Sequence, residues 1–320
     1  MNLVWRTDVH MADRAPSSRK DDWVETVLGK LTQVRDIAQK KKAVAILDGG
    51  DFFHVKGPAQ NSHELIRRVA DHHRKYPCPV FCTPGNHDSV YGDYAFLGQQ
   101  PLGVLFSTGV FQRLYDESEA VFDDGDVKVR VVGIPYHGSK YDMERFHKIK
   151  KGDEDFLVCV AHVLASLHGG TMFEGEDIVR YDHLLAGAPD LFCFGHWHKD
   201  QGVEVIDDKT FVNIGSLTRG SLSQDEVQRR PACAVLSFKK GSRPEVEVVR
   251  LEVKPPEEAF DVEGRARQVR QQVEMDSFVE KMRSSLVPNK TATVEEALKA
   301  IPDIPEDIRE RALEYLEKAE

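Results

Sequence analysis

"PVFCTPGNHD", residues 79–88, passes from a short apolar run into a Pro-Gly turn and then presents an Asn, a His and an Asp in succession. The apolar part reads as a short buried strand that ends on Pro84-Gly85. Three adjacent polar side chains just beyond a strand look like a working site, because loops carry chemistry while the sheet behind them supplies rigidity.

Working outward, the first two-thirds alternates strand-like and helix-like segments. "NLVWRT" (2–7) reads as a strand, and "DDWVETVLGKLTQVRDIAQ" (21–39) places apolar residues at 23, 24, 27, 28, 31, 34, 37 and 38, a helical period. "AVAIL" (43–47) is a continuous apolar run, as expected of a strand covered on both faces. "SHELIRRVADHHRKY" (62–76) reads as a helix that leads back into the opening stretch, which makes a β-α-β-α-β start. Beyond it come strand-like runs at 127–134, 156–162, 190–195, 202–206, 210–215, 233–238 and 245–253, with "DDK" (207–209) as a turn. Their short connections imply hairpins in the second half.

After "KPPEE" (254–258) the composition changes. Residues 259–286 are charged and helix-like, with Val262, Ala266, Val269, Val273, Phe278, Met282 and Leu286 on a rough stripe. Thr293 and Glu296 form a capping-box pattern, and Pro305 suits the first turn of a last helix over 305–319. The expected organisation is a catalytic domain over 1–254 and a helical C-terminal region over 255–320.

Bulk properties narrow the class. No run of about 18 apolar residues exists, so no membrane span is expected. The opening "MNLVWRTDVH" lacks the basic and apolar regions of a secretory signal, so a cytoplasmic chain is expected. The five cysteines, at 78, 82, 159, 193 and 233, form no close pair and read as buried free thiols. The net charge is −10, of which residues 257–320 carry −6 and the remainder −4. Two bound divalent cations would bring the body close to neutral, so the charge neither requires nor excludes a DNA partner.

Histidine is abundant, at 13 residues, and several lie beside Asp or Asn at the ends of apolar runs. Asp8 and His10 follow the first strand, Asp51 the second and Asn86, His87 and Asp88 the third. His162 follows "LVCVA", and His196 and His198 follow "LFCFG". Parallel strands gather their C-terminal ends at one sheet edge, where open α/β sheets bind ligands. The seven donors Asp8, His10, Asp51, Asn86, His162, His196 and His198 suit two divalent ions that share a carboxylate. Asp51 is the expected bridge, because a carboxylate has two oxygens and Gly49-Gly50 permits close backbone approach. Two ions about 3.5–4 Å apart can share a hydroxide and clamp a phosphoryl group. His87, beside a ligand, is then placed to protonate the leaving oxygen, with Asp88 accepting the other ring N–H. His63, His72, His73 and His147 read as solvated, and His137 and His183 as packed or surface residues.

DxH, GGD, GNHD, a lone His and GHxH, in that order over residues 1–200, resemble the signature of the calcineurin-like metallophosphoesterases. The resemblance implies a two-sheet α/β sandwich flanked by helices and a dinuclear site, often of Mn²⁺. The same ligand roles are implied for the matching positions, and His87 matches the proton donor. Three further stretches narrow it: "TDVHMADRAPSSRKDDW", "GGDFFHVKGPAQNSHELIRRV" and "NIGSLTRGSLSQDE" resemble the SbcD-type DNA repair nucleases of bacteria and phages. That likeness implies that His54 lies near the scissile phosphate, and that the product of the chain is an exonuclease, with endonuclease action as a further mode.

The chain departs from that pattern in having only about 65 residues after the core here, so a reduced or absent capping domain is the expectation. The family's C-terminal helices dock on an SbcC-type ATPase, a role the stripe at 262–286 and the last helix could fill by helix-in-groove packing. Folding back on the core or self-association would use the same stripe, and a homodimer stays open. DNA phosphate contacts are expected from Arg14, Arg19, Lys20, Lys56 and Arg219. Two alternatives stand beside the nuclease: a phosphoesterase for a cyclic nucleotide or phosphomonoester, and a partner-recruiting scaffold with a structural metal site. The complete ligand set and His87 argue against the scaffold.

Overall fold

The computed structural model describes residues 1–90, 93–169, 175–286 and 308–310. It divides into two units, Met1–Phe260 and Asp261–Glu320.

In the first unit the strands, in chain order, are β1 (Asn2–Arg6), β2 (Ala45–Asp48), β3 (Val80–Cys82), β4 (Phe111–Arg113), β5 (Ala120–Asp123), β6 (Lys128–Ile134) and β7 (Phe156–His162). They continue with β8 (Ala165–Ser166), β9 (Val179–Arg180), β10 (Leu191–Gly195), β11 (Gly202–Ile206), β12 (Lys209–Asn213), β13 (Ala232–Ser237) and β14 (Glu245–Arg250). One six-stranded sheet has the order β14-β13-β1-β2-β3-β4 and the other β11-β12-β10-β7-β6-β5. β1 to β4 run parallel, as do β6, β7, β10 and β12, and antiparallel strands close the margins. The expected two-sheet α/β sandwich is therefore present. The short strands β4, β5, β8 and β9 were not expected, because two to four residues carry too little periodicity to read.

Alternation along the strands builds the layers. Leu3, Trp5, Ala45 and Leu47 point from the first sheet into a core shared with Val158, Val160 and Cys193 of the second. Val4, Ile46 and Cys82 point the other way, against α1 (Trp23–Lys40) and α2 (His63–His73). Both faces of these strands are covered, hence their continuous apolar runs. Asp22 caps α1 by accepting the Glu25 N–H at 3.0 Å, and Ser62 caps α2 by accepting that of Leu65 at 3.0 Å. Each helix then turns one apolar face inward: Trp23, Val27, Leu31, Val34 and Ala38 on α1, and Leu65 and Val69 on α2.

The body extends beyond residue 254, because Ala259 and Phe260 are fully buried and Phe260 receives the guanidinium groups of Arg19 and Arg219 on its ring. In the second unit a helix spans Val262–Leu286, begun by Asp261, which accepts the Gly264 N–H at 2.8 Å. Val262 and Val273 on it are 51 % and 61 % exposed. The capping box at Thr293 and Glu296 lies outside the described residues, as does most of the last helix, of which 308–310 are helical. All five cysteines are free, and all but Cys78 are buried. Among the described residues no helix is long and apolar enough to cross a membrane.

Candidate dinuclear metal site

Five loops at the C-terminal ends of β1, β2, β3, β7 and β10 meet over the junction of the two sheets. The first two are zipped together by backbone bonds: Asp8 N–H to Gly50 O at 3.0 Å, His10 N–H to Asp51 O at 3.0 Å and Met11 N–H to Phe52 O at 2.8 Å. This pairing holds Asp8, His10 and Asp51 at φ of 53°, 50° and 50°, and His196 stands at 90°. Left-handed backbone costs a non-glycine residue about 1–3 kcal/mol and concentrates where function demands a side-chain direction. Gly85 is the close-approach point, since a Cβ there would fall against the Asp51 carboxylate and the His162 ring.

Three overlapping groups of ligand atoms result, each within 4.8 Å of one another: Asp8, His10, Asp51 and His198; Asp51, His162 and His196; and His10, His54 and His87. In the first, His10 Nε2 lies 2.9 Å from His198 Nε2, and His198 Nε2 lies 3.5 Å from Asp8 Oδ1. In the second, His162 Nε2 lies 3.1 Å from Asn86 Oδ1 and 3.4 Å from Asp51 Oδ2. Asp51 belongs to both of these, with a refinement of the expected bridge. Its Oδ2 faces His10 at 3.9 Å and His162 at 3.4 Å, while Oδ1 accepts the His87 N–H at 2.7 Å. A single oxygen is thus placed between the two groups.

The surroundings prepare these atoms as ligands. His162 Nδ1–H donates to Gly49 O at 2.6 Å, which leaves Nε2 for an ion. His10 Nδ1 meets His54 Nδ1 at 3.2 Å while Nε2 faces the cluster. Burial alone would raise the carboxyl pKa of Asp8 and Asp51. The His198 hydrogen bond to Asp8 and the His162 charge near both hold them well below the usual carboxylate range. Burial and the neighbouring His198 push His10 down, toward the neutral ring that a metal needs. Ionised carboxylates, imidazole nitrogens and an amide oxygen, converging in two groups that share Asp51, fit a pair of divalent transition metals.

His87 stands on the open side of the cluster. Its Nδ1–H donates to His54 O at 2.7 Å, and its ring stacks on that of His54 at 5.2 Å and 16°. The expected Asp88 contact is corrected by this arrangement. Asp88 is buried under the loop and accepts the N–H groups of Gly85, Phe52 and Phe53 at 2.9, 3.4 and 3.3 Å. It shapes the turn and does not touch the His87 ring. His54, named only by family resemblance, does reach the cluster, with its ring centroid 5.2 Å from that of His10.

The DNA-contact candidates divide. Arg14, Lys20 and Lys56 are exposed, and Lys56 Nζ lies 3.5 Å from Asn86 O. Arg19 and Arg219 are buried and committed elsewhere. Arg19 pairs with Asp21 at 2.7 Å and donates to Arg219 O at 3.0 Å, and Arg219 donates to Val227 O and Lys254 O at 2.8 and 2.7 Å. They staple loops and are removed as phosphate contacts. His73, read as solvated, is also buried, with Nε2 3.0 Å from Arg6 Nη2. Its place three to four residues beyond Val69 and Ala70 on the apolar face of α2 was the available signal.

A cleft of about 610 Å³ opens over the cluster. His54, His87, His196 and His198 line it together with Trp23, Ser216, Thr218 and Ser221. Glu176 also lines it and carried no signal in the sequence, being a single carboxylate in an irregular loop.

The family model for calcineurin-like phosphoesterases matches residues 1–200. No curated protein sequence matches the chain significantly. Among solved structures it is similar to a dimetal phosphatase from Danio rerio, at 11 % identity over 79 % of this chain and 97 % of that one, with a TM-score of 0.50. It is also similar to an archaeal phosphodiesterase, at 14 % identity over 78 % of this chain and 100 % of that one, with a TM-score of 0.38. At 11 % identity the likeness to the Danio rerio phosphatase speaks for the fold alone. The family model spans the five loops that build the cluster, and the cluster is chemically complete for two ions: the chain belongs to the calcineurin-like phosphoesterases, which are metal-dependent hydrolases.

Proposed function

We propose that the chain is an SbcD-type DNA phosphodiesterase, an exonuclease with endonuclease cutting as a second mode, that works in DNA repair or recombination in the cytoplasm. The observation that carries this reading is the meeting of the three nuclease-like stretches, which are far apart in sequence. Asp13 of the first accepts the Ser62 N–H of the second at 2.6 Å and its hydroxyl at 2.8 Å. Ser18 and Arg19 of the first donate to Gly220 O and Arg219 O of the third at 2.9 and 3.0 Å. Together they wall the cleft above the metal cluster with Pro16, Ser216, Thr218 and Gly220.

Two divalent ions, manganese in this reading, would supply positive charge to the phosphoryl oxygens and a lowered pKa to the attacking water. The chain's own part is positional. Asp51 Oδ1 holds the His87 backbone, the His54 carbonyl fixes the His87 ring, and His87 Nε2 is left to deliver a proton to the departing oxygen. His54, stacked beside it, meets the same side of the substrate.

The exposed Val262 and Val273 on the helix Val262–Leu286 support docking of an SbcC-type ATPase by that helix. A second reading, hydrolysis of a small phosphoester, draws support from the burial of Arg19 and Arg219, which leaves fewer cations for a DNA backbone. Mn²⁺-dependent degradation of linear duplex and single-stranded DNA, run beside a chromogenic phosphodiester, separates the two. DNA cutting by the wild type that His87→Ala loses is the expected result. Turnover of the small ester alone, even with the ATPase added, would move the substrate assignment to small esters.

A further inference from the structure

Glu176 lies in the irregular segment before β9, and its Oε1 sits 2.9 Å from His196 Nε2 and 2.7 Å from the Tyr141 hydroxyl. The Tyr141 oxygen in turn accepts the Leu164 N–H at 2.9 Å, two residues beyond His162. The Tyr136 hydroxyl also bonds Glu176, and the Tyr136 and His196 ring centroids are 5.2 Å apart. The segment is itself held: Asp177 N–H donates to Ser139 O at 2.8 Å, and Lys140 pairs with Asp177 at 2.7 Å. Glu176 and His196 are mostly buried, with side-chain exposures of 15 % and 14 %.

We propose that Glu176 is the positioning residue of the Asp51–Asn86–His162–His196 ion: it takes the Nε2–H of His196, sets the ring's orientation and leaves Nδ1 as the ligand. This rests on the two-ion reading of the site and adds the selection of one histidine nitrogen. An imidazole that gives one N–H to a carboxylate presents the other nitrogen as a lone pair, and the carboxylate raises its basicity. His196 needs such a partner. It follows β10 at φ 90°, and its backbone N–H already serves Asp8 at 3.1 Å, so the ring is the one part left to be oriented. Glu176 is not itself in the ligand group, since Asp51, His162 and His196 converge within 4.8 Å without it. Through Tyr141 and Leu164, the same carboxylate links the end of β7 to the first residue after β10, and so couples two ligands of one ion.

The test measures ion uptake rather than turnover. The full chain is titrated with Mn²⁺ by calorimetry as wild type, Glu176→Ala, Glu176→Gln and Tyr141→Phe. Glu176→Ala is expected to weaken one of the two ions by about 10–100-fold and to leave the other unchanged. Glu176→Gln, whose amide oxygen still accepts the Nε2–H, is expected to restore most of the loss. Tyr141→Phe is expected to fall in the same direction by a smaller factor. In the zinc-loaded protein labelled with ¹⁵N at histidine, His196 is expected to show a protected Nε2–H. Two ions bound by Glu176→Ala as tightly as by wild type would overturn the proposal. So would a Gln variant as weak as the Ala variant with no Nε2–H at His196, which would make Glu176 a ligand. A wild type that takes up fewer than two ions would instead overturn the two-ion reading beneath it.

Discussion

The Nδ1 of His87 lies 2.7 Å from the carbonyl oxygen of His54, and the two imidazole rings stack at 5.2 Å. A carbonyl only accepts, so His87 Nδ1 carries the hydrogen and Nε2 is the nitrogen that exchanges a proton with the cleft. The loop after β2 therefore supplies both the carboxylate shared by two candidate ligand groups and the carbonyl that sets the His87 tautomer. Asp51 also holds the His87 backbone through Oδ1. One loop thus fixes His87 at two points.

His87→Ala is expected to reduce kcat on DNA by about 10²–10⁴-fold, the usual contribution of a positioned general acid. The loss should depend on the leaving group. A 4-nitrophenyl phosphodiester expels an anion that needs no proton, so its kcat should fall much less. Ion uptake by the two groups that share Asp51 should be that of the wild type, because His87 contributes no atom to either. Equal losses on the two substrates would remove His87 from the role of acid.

Asp51→Asn is expected to differ in kind from His198→Ala. Asp51 Oδ2 faces both ligand groups, whereas His198 belongs to one. Counting ions by mass spectrometry after equilibrium dialysis should show both weakened in Asp51→Asn and one weakened in His198→Ala. A chelator should abolish wild-type turnover and added divalent ions should restore it. Retention of one tight ion by Asp51→Asn would refute a shared oxygen.

The convergence of the candidate ligands was readable because each member follows an apolar run, and parallel strands collect their ends by geometry. All seven donors take part in the cluster for that reason. What escaped reading was pairing decided by three-dimensional packing. Asp88 sits one residue from His87, yet the tight turn after Gly85 sends its carboxylate inward to three backbone N–H groups. Arg19 and Arg219 look like loop cations in sequence, and only the fold shows Phe260 and backbone carbonyls claiming them. Arg6 and Asp48 close β1 and β2 and meet at 2.7 Å with no exposure, an ion pair whose members are 42 positions apart. No local period encodes a partner at such separation.

The two classes of cation should separate under salt. If DNA is the substrate, Arg14→Ala and Lys56→Ala should each flatten the dependence of log affinity on log salt by about 0.9, one phosphate contact apiece. Arg19→Ala should leave that slope unchanged and lower the melting temperature, because it breaks the 2.7 Å pair with Asp21 and the bond to Arg219 O. Binding measured by anisotropy at several salt concentrations, beside thermal melts, distinguishes them. A reduced slope in Arg19→Ala at unchanged stability would return that residue to the DNA interface.

Lys30 offers a test of stability against pH, far from the metal ligands in sequence. It lies on the buried face of α1, 4 % exposed, and among the described residues no carboxylate oxygen comes within 4.0 Å of its Nζ. Burial, then the charges of Arg219, Arg19 and Arg229, pull its pKa down to about 7 against the partial support of Asp21. The unfolded chain holds that proton up to about pH 10.4. Between pH 7 and 10 the unfolded state binds more protons at this site, so its contribution to stability rises with pH, and below pH 7 the full cost is present. Lys30→Met keeps the stem and removes the charge. It is expected to stabilise the protein by roughly 2–4 kcal/mol at pH 6, with the gain falling below about 1 kcal/mol by pH 10. Urea unfolding of both proteins at the two pH values isolates this site, because every other group titrates alike in both. A loss of stability at pH 6, or a gain that does not shrink with rising pH, would mean that the Lys30 charge is satisfied in the folded protein.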